Sequence, residues 1–209
     1  IDWLLERHAK VIGLETMPRT MDNIGFYSRL GFAPGRLTIT VTLEAATTDV
    51  AVPLLGALPP RDRDAVVAQC LRLTQEQLPG YDFTRELMLT LELGLGDVVL
   101  RYERGALTGF ALFHAAPLVE GRSREELRVL KLALAREGDM TAMATLLAGA
   151  ARQAGTRRVA IRVQGEYTEA YRELISLGAR VRWTDLRMVV PGREESRAAT
   201  GMVLSNWEI

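Results

Sequence analysis

The sequence has little of what metal and redox sites are built from. Its 209 residues include one cysteine, Cys70, and two histidines, His8 and His114. A single cysteine excludes an intrachain disulfide, a CxxC redox pair and a thiolate zinc site, and two isolated histidines provide no metal-ligand spacing. We therefore predict no metal site, and we interpret Cys70 as a core residue of a helix.

Net charge and long apolar runs are also missing. Lys plus Arg and Asp plus Glu are both 26, so the chain lacks the broad basic field of nucleic-acid-binding proteins. No apolar run approaches the roughly 18 residues of a membrane span, and residues 1–8 lack the layout of a secretory signal. We expect a cytoplasmic protein with neither a nucleic-acid nor a membrane partner.

What is present is typical of a globular protein that can bury a core. The chain is 48% hydrophobic and 25% charged, and its length suits one large domain or two small ones. The run 11–16 and the alternation over 37–43 predict two strands. Between them we predict a helix over 24–29, capped by Asp22 or Asn23 and stopped by Gly31.

A longer unit follows the segment 51–61, whose prolines and glycine indicate a linker. We predict a helix capped by Asp62 or Asp64, a second helix, a hairpin turning at Arg104-Gly105 and a third strand. A long helix from Asp139 then buries a stripe of Met140, Met143, Ala144, Leu147 and Ala151. A strand, a helix and a strand finish the unit over 158–190.

The end of the chain repeats the pattern of its beginning. A shift of 147 residues places Leu30-Gly31 on Leu177-Gly178 and aligns the apolar positions of both strands. We infer that residues 1–50 are the carboxyl-terminal part of a first domain and that 62–192 form the complete second copy. The tail, 193–209, ends in an apolar stretch that we expect to dock on one of the units, with Trp207 packing there or lining a groove.

The run Ile12–Thr16, followed by N-I-G-F-Y-S-R-L-G-F over 23–32, resembles the last block of the GNAT superfamily of acyl-CoA-dependent N-acetyltransferases. The resemblance implies an α/β, or layered α+β, fold in two tandem copies. Each copy would have a mixed, mostly antiparallel twisted sheet flanked by helices. It also implies acetyl-CoA as co-substrate, with Asn23, Phe26 and Arg29 at the cofactor.

A transferase of this kind needs an acid for the departing thiolate, and the Tyr27 hydroxyl is our candidate. Glu15, on the preceding strand, is a candidate general base or amine-binding carboxylate. The structural alternatives stay open: Asn23 caps the helix, Tyr27 packs with Phe26 on the sheet, and Glu15 is a solvated strand residue.

The second copy departs from the family pattern. The place of the phosphate-binding loop, patterned [QR]-x-x-G-x-[GA], is taken by G-D-M-T-A-M over 138–143. Ala170 and Leu174 stand where the first copy has Asn23 and Tyr27, so we expect this copy to be inactive, unless Tyr167 or Tyr171 acts in a shifted register.

We predict an N-acetyltransferase that acts on a small-molecule or peptide amine, with a homodimer as a candidate assembly. The alternative is a catalytically inactive GNAT-like protein that binds a ligand or a partner.

Overall fold

The computed structural model describes residues 1–116, 125–198 and 200–207. In these residues one sheet is flanked by helices on both faces. Its strands are β1 (Gly13–Thr16), β2 (Ala33–Glu44), β3 (Gly96–Glu103), β4 (Ala106–His114), β5 (Glu126–Leu134), β6 (Arg158–Gln164), β7 (Arg180–Val189) and β8 (Met202–Ser205). The helices are α1 (Asp2–Glu6), α2 (Met21–Arg29), α3 (Pro60–Gln77), α4 (Thr84–Glu92), α5 (Met140–Gln153) and α6 (Thr168–Ser176), and a 3-10 helix, Glu137–Asp139, leads into α5.

The strands follow the order β1-β7-β2-β6-β5-β4-β3, and β8 pairs with β5. Every pairing is antiparallel except that of β5 with β6. The predicted mixed, mostly antiparallel sheet is therefore confirmed. Because β2 lies between β6 and β7, the first segment of the chain shares one continuous sheet with the last.

Two apolar cores lie on the two faces of the sheet. One is built on α5, whose predicted stripe is fully buried, and extends to α6. The other lies under α3 and α4. Cys70 on α3 is 1% exposed, and burial raises the pKa of its thiol to about 12. The interpretation of Cys70 as a core residue is confirmed.

Two helix starts differ from the prediction. The N-cap of α2 is Thr20 and that of α3 is Pro59, and neither helix has a side-chain cap. Pro60 explains the second difference, because its fixed φ suits the first position of a helix and its missing N–H needs no partner there. The predicted caps Asp22, Asn23, Asp62 and Asp64 all lie inside helices.

The segment 51–61 and the tail residues 193–198 and 200–207 pack against the sheet. Leu55 is fully buried, and its N–H donates to the Val98 carbonyl oxygen. Strand β5 pairs with β6 only over Glu126–Arg128, and over Lys131–Leu134 it pairs with β8 instead. Strand β8 therefore takes the place of β6 as the partner of β5 where β5 and β6 diverge.

The strand register repeats with the 147-residue shift. Leu14 pairs with Met188, and the positions that the shift relates to them, Ile161 and Val41, also pair. The same holds between β2 and β7, where Leu37 pairs with Leu186 and the related positions Thr184 and Ile39 pair in turn. The center of the sheet thus has a local two-fold arrangement, and its axis passes between β2 and β7.

Candidate functional site

Helix α2 presents the residues of the GNAT-like motif at the surface. Asn23 is exposed and Tyr27 is half-buried. The Tyr27 ring lies edge-on to Phe26, at 5.3 Å between centroids, and to Phe32, at 6.2 Å. Within the described residues its hydroxyl has no hydrogen-bond partner, so it can serve a ligand. The helix ends at Arg29, and Gly31, two residues later, has a φ of 93°, which favours glycine.

The related helix α6 is packed differently. The positions related to Asn23 and Tyr27 are Ala170 and Leu174, and both are fully buried. Helix α2, by contrast, has no buried residue. One of the structural alternatives for Asn23 is thereby wrong, because the helix begins at Met21 and Asn23 does not cap it.

Phe26 and Arg29, the other two residues that the resemblance places at the cofactor, are both exposed on α2. Phe26 is 51% exposed. Arg29 lies in the last turn of the helix, and it forms no ion pair among the residues that the structure describes. An exposed guanidinium beside an exposed ring can contact a phosphate or a planar group.

Glu15 lies in a buried ionic cluster at the center of the sheet. Its Oε2 accepts from Arg162 at 2.6 Å, and its Oε1 accepts from Arg187 at 2.9 Å and from the Thr38 hydroxyl at 2.7 Å. Its side chain is 3% exposed. Arg162 also binds Asp185, at 2.9 Å. The interpretation of Glu15 as a solvated strand residue is wrong.

The cluster also opposes the general-base role of Glu15. Burial raises the pKa of its carboxyl group, but the Thr38 hydrogen bond and the charges of Arg187 and Arg162 outweigh burial and lower it. A general base near neutral pH needs a pKa close to 7, so these partners shift Glu15 in the wrong direction. Glu15 instead forms ion pairs with Arg187 on the neighboring strand β7 and with Arg162 on the more distant strand β6.

Arg187 connects this cluster to the tail of the chain. It forms an ion pair with Glu195, donates to the Ser205 carbonyl oxygen at 2.5 Å and lies 4.1 Å from the centroid of the Trp207 ring. Sequence reasoning did not find Arg162, Asp185 or Arg187. The available signal was the placement of charged residues inside predicted strands, alternating with apolar ones.

Two carboxylates lie at the start of α5 and are bound there by groups of the protein. The Thr141 N–H donates to Glu173 at 2.6 Å, and Asp139 binds Arg101 and Arg136, each at 3.1 Å. A pyrophosphate at this helix end would compete with the Glu173 carboxylate for the Thr141 N–H. The Thr141 N–H is therefore already bound by a carboxylate of the protein.

The shifted-register alternative requires an exposed hydroxyl at Tyr167 or Tyr171. Tyr167 is 2% exposed, and its oxygen accepts from the Ala198 and Val203 N–H groups at 3.4 Å. Tyr171 packs against the core beside α5. The shifted-register alternative therefore has no exposed hydroxyl at Tyr167.

The described residues, 1–116, 125–198 and 200–207, contain neither a cluster of metal ligands nor a helix suited to a membrane span. Among them no three His, Cys, Asp or Glu side chains are grouped so as to hold a metal ion. None of their helices combines the length and the apolar character that a membrane span requires.

Solved structures share this fold. A GCN5-related N-acetyltransferase from Sphaerobacter thermophilus matches with a TM-score of 0.59 and 16% identity, over 98% of this chain and 67% of its own. A Pyrococcus horikoshii protein matches with a TM-score of 0.59 and 15% identity, over 91% of this chain and 55% of its own. A GCN5-related N-acetyltransferase from Kribbella flavida matches with a TM-score of 0.53 and 14% identity, over 90% of this chain and 74% of its own.

These likenesses define the fold as that of GNAT acetyltransferases. The chain spans between about half and three quarters of the length of the three structures. No protein-family model and no curated protein sequence matches it.

Proposed function

We propose that this chain is part of an acyl-CoA-dependent N-acetyltransferase with two GNAT-like units, of which the first carries the chemistry. The unit over 1–50 supplies β1, α2 and β2, the linker is 51–61, the second unit is 62–192, and 193–209 is the docking tail. The repeat of the strand register after 147 residues supports two units, because unrelated segments have no reason to share a register.

The observation that carries the proposed activity is the contrast between α2 and α6. Helices at related positions of the sheet present Asn23 and Tyr27 in one case and bury Ala170 and Leu174 in the other. Asn23 stands four residues before Tyr27, so its amide and the Tyr27 hydroxyl lie on the same face of the helix. The hydroxyl has no partner among the described residues. That pair can hold an amide-rich substrate arm and donate a proton next to it.

In the proposed reaction, acetyl-CoA supplies an acetyl thioester. The neutral acceptor amine forms the new N–C bond at the acetyl carbonyl, and the C–S bond breaks. Tyr27 gives its proton to the departing sulfur and regains one from solvent, and the amine nitrogen releases its extra proton to solvent. Phe26 and Arg29 border the cofactor, and Glu15 anchors Arg162 and Arg187 without accepting a proton.

We propose that the second unit does not bind acetyl-CoA. At the start of its helix α5, the Glu173 carboxylate binds the Thr141 N–H and Asp139 pairs with Arg101 and Arg136. This observation also favours the second candidate function, a GNAT-like protein without catalysis that binds a ligand or a partner. The two candidates differ in whether the first unit binds acetyl-CoA.

Calorimetric titration of acetyl-CoA into the full chain tests the proposal. We expect one site per chain, with affinity that Asn23→Ala lowers about tenfold, as the loss of one well-placed hydrogen bond does. Gln75→Ala removes an exposed amide from α3 and is the matched control, expected to leave affinity unchanged. No binding, or equal affinity of the Asn23 variant and the wild type, contradicts an acyl-CoA site at α2.

A further inference from the structure

An open pocket lies where β1 ends and faces β7. It has a volume of about 530 Å³, which is within the usual range of small-molecule sites. We call it the Trp183 pocket. Its lining residues are Met17, Pro18, Arg19, Arg182, Trp183, Thr184 and Asp185.

The local two-fold arrangement provides an internal comparison. The 147-residue shift relates Arg19 to Glu166 and Trp183 to Arg36. At that related end of the sheet, Arg36 and Glu166 form an ion pair at 2.6 Å, which ties β2 to the end of β6. Arginine and tryptophan cannot form such an ion pair, so no equivalent bond ties the two walls of the Trp183 pocket together.

The pocket has an excess of positive charge. Arg182 is exposed and has no hydrogen bond or ion pair among the described residues, and the one polar contact of Arg19 is with the Met17 sulfur, at 3.9 Å. The Asp185 carboxylate is 5% exposed and is bound to Arg162. Two arginines are therefore left for a ligand, and their guanidinium groups suit a carboxylate.

Trp183 adds a flat apolar wall. It is 45% exposed although it lies in a strand of the sheet. An exposed indole at the wall of a cavity offers a stacking surface for the apolar part of a ligand. The pocket thus combines a carboxylate-binding edge with a surface for a hydrocarbon or aromatic group.

We propose that the Trp183 pocket binds the acceptor amine of the transferase through a carboxylate on that acceptor. The acceptor is then a free amino acid or another small amino-carboxylate. Polyamines and aminoglycosides are disfavored, because their multiple positive charges would meet two arginines that no described carboxylate neutralises. This inference rests on the proposed function in that it takes the ligand to be the acceptor, and it assigns substrate recognition to Arg19 of the first unit and to Arg182 and Trp183 of the second.

Matched pairs of probes test the carboxylate directly. Phenylalanine and phenethylamine, tryptophan and tryptamine, histidine and histamine, and lysine and cadaverine differ within each pair by the carboxylate alone. Each probe is titrated into the full chain by calorimetry in the absence of acetyl-CoA. We expect at least one amino acid to bind tenfold more tightly than its amine. No amino acid binding more tightly than its amine overturns the proposal.

Two variants tie the preference to this pocket. Arg182→Gln is expected to reduce the tenfold preference to less than threefold. Arg172→Gln removes an exposed arginine of α6 that has no ion pair in the described residues, and it is expected to keep the preference. Both positions are exposed, so neither change threatens the fold. A preference that survives Arg182→Gln overturns the assignment to the Trp183 pocket.

The acetyl-CoA titration separates this inference from the proposed function. If the chain binds acetyl-CoA but binds each amino acid no more tightly than its amine, the transferase proposal stands and the acceptor site is overturned. Discrimination in a chain that does not bind acetyl-CoA makes the pocket an amino-acid-binding site and overturns its role in acyl transfer.

Discussion

Arg162 donates to Glu15 across 2.6 Å, and the two residues occupy related positions, 147 residues apart, on β6 and β1. Neither strand pairs with the other, because β2 and β7 lie between them. The ion pair therefore crosses the local two-fold axis and ties together strands that the hydrogen bonds of the sheet do not join. Thr38 and Asp185, which are also related by the shift, complete the cluster.

Replacing Glu15 by Gln should destabilise the fold strongly. The change keeps the shape of the side chain but leaves Arg162 and Arg187 without the charge they share. Removing one partner of a buried ion pair costs about 3 kcal/mol in the free energy of unfolding. Urea denaturation measures this loss. Glu76→Gln, on the exposed face of α3, is the matched control and should change stability by less than about 0.5 kcal/mol.

The same carboxylate gives the stability a defined pH dependence. The pKa of Glu15 is lowered in the folded chain from its ordinary value of 4.5. A carboxyl group with a lowered folded pKa contributes stability above its unfolded pKa and loses it as pH falls through the folded pKa. The stability gap between wild type and Glu15→Gln should therefore be constant above about pH 5.5 and narrow below pH 4.5. A gap that is independent of pH down to pH 3 would contradict the charged state of Glu15.

Gly13 is the position where β1 meets the tail. A Cβ atom there would lie 2.5 Å from the Trp207 ring, so Gly13→Ala should displace the indole and cost about 1–3 kcal/mol. In a Trp207→Ala background the same change should cost at least about 1 kcal/mol less, which a double-mutant cycle of denaturation experiments measures. Gly25→Ala is the control and should increase stability instead of lowering it. Alanine favours the helical conformation of α2, and its Cβ would have only the Arg29 side chain nearby. If the stability losses of Gly13→Ala and Trp207→Ala simply add in the double variant, Trp207 does not pack on Gly13.

Local signals made much of the fold predictable. The alternation over 37–43, the glycine stops at Gly31 and Gly178 and the apolar stripe of α5 all act within a few residues of the chain. The 147-residue shift was found from the spacing of apolar residues, and the strand register of the sheet repeats with the same shift. The insertion of β2 between β6 and β7 was not predictable in this way, because strand pairing over more than a hundred residues leaves no local pattern.

The candidate site was less predictable than the fold. Asn23 and Tyr27 stand out through a motif, and their placement on an accessible helix agrees with it. The role of Glu15 depended on Arg162 and Arg187, which are distant in sequence and resemble surface residues of strands. A buried charge can be recognised only when its partners are known. The position of Glu15 in the sequence therefore could not distinguish a general base from a carboxylate that pairs with buried arginines.

The docked tail should depend on the Tyr167 hydroxyl. Its oxygen accepts from the Ala198 and Val203 N–H groups, so Tyr167→Phe removes an acceptor from two buried donors. We expect a loss of about 1–2 kcal/mol in the free energy of unfolding and faster hydrogen exchange at Val203. Tyr171→Phe is the matched control on the same segment and should leave Val203 exchange unchanged. Unchanged exchange in the Tyr167 variant would contradict the anchoring of the tail by this hydroxyl.

Tyr27→Phe tests the proposed acid. The phenylalanine ring keeps the edge-on contacts with Phe26 and Phe32, so the fold should be retained while the proton donor is lost. We expect kcat to fall about 100-fold or more, because the thiolate must leave without general-acid help. The KM for acetyl-CoA should change by less than about threefold, since the hydroxyl acts on the departing sulfur and not on the bound ground state.

Thiol release from acetyl-CoA, with an acceptor found among the amino acid probes, measures both constants. Tyr102→Phe, at a 40% exposed position of β3, is the control and should behave as wild type. If the Tyr27 variant keeps the wild-type kcat, the thiolate leaves unprotonated or takes its proton from another group, and α2 then binds substrate without catalysing the transfer.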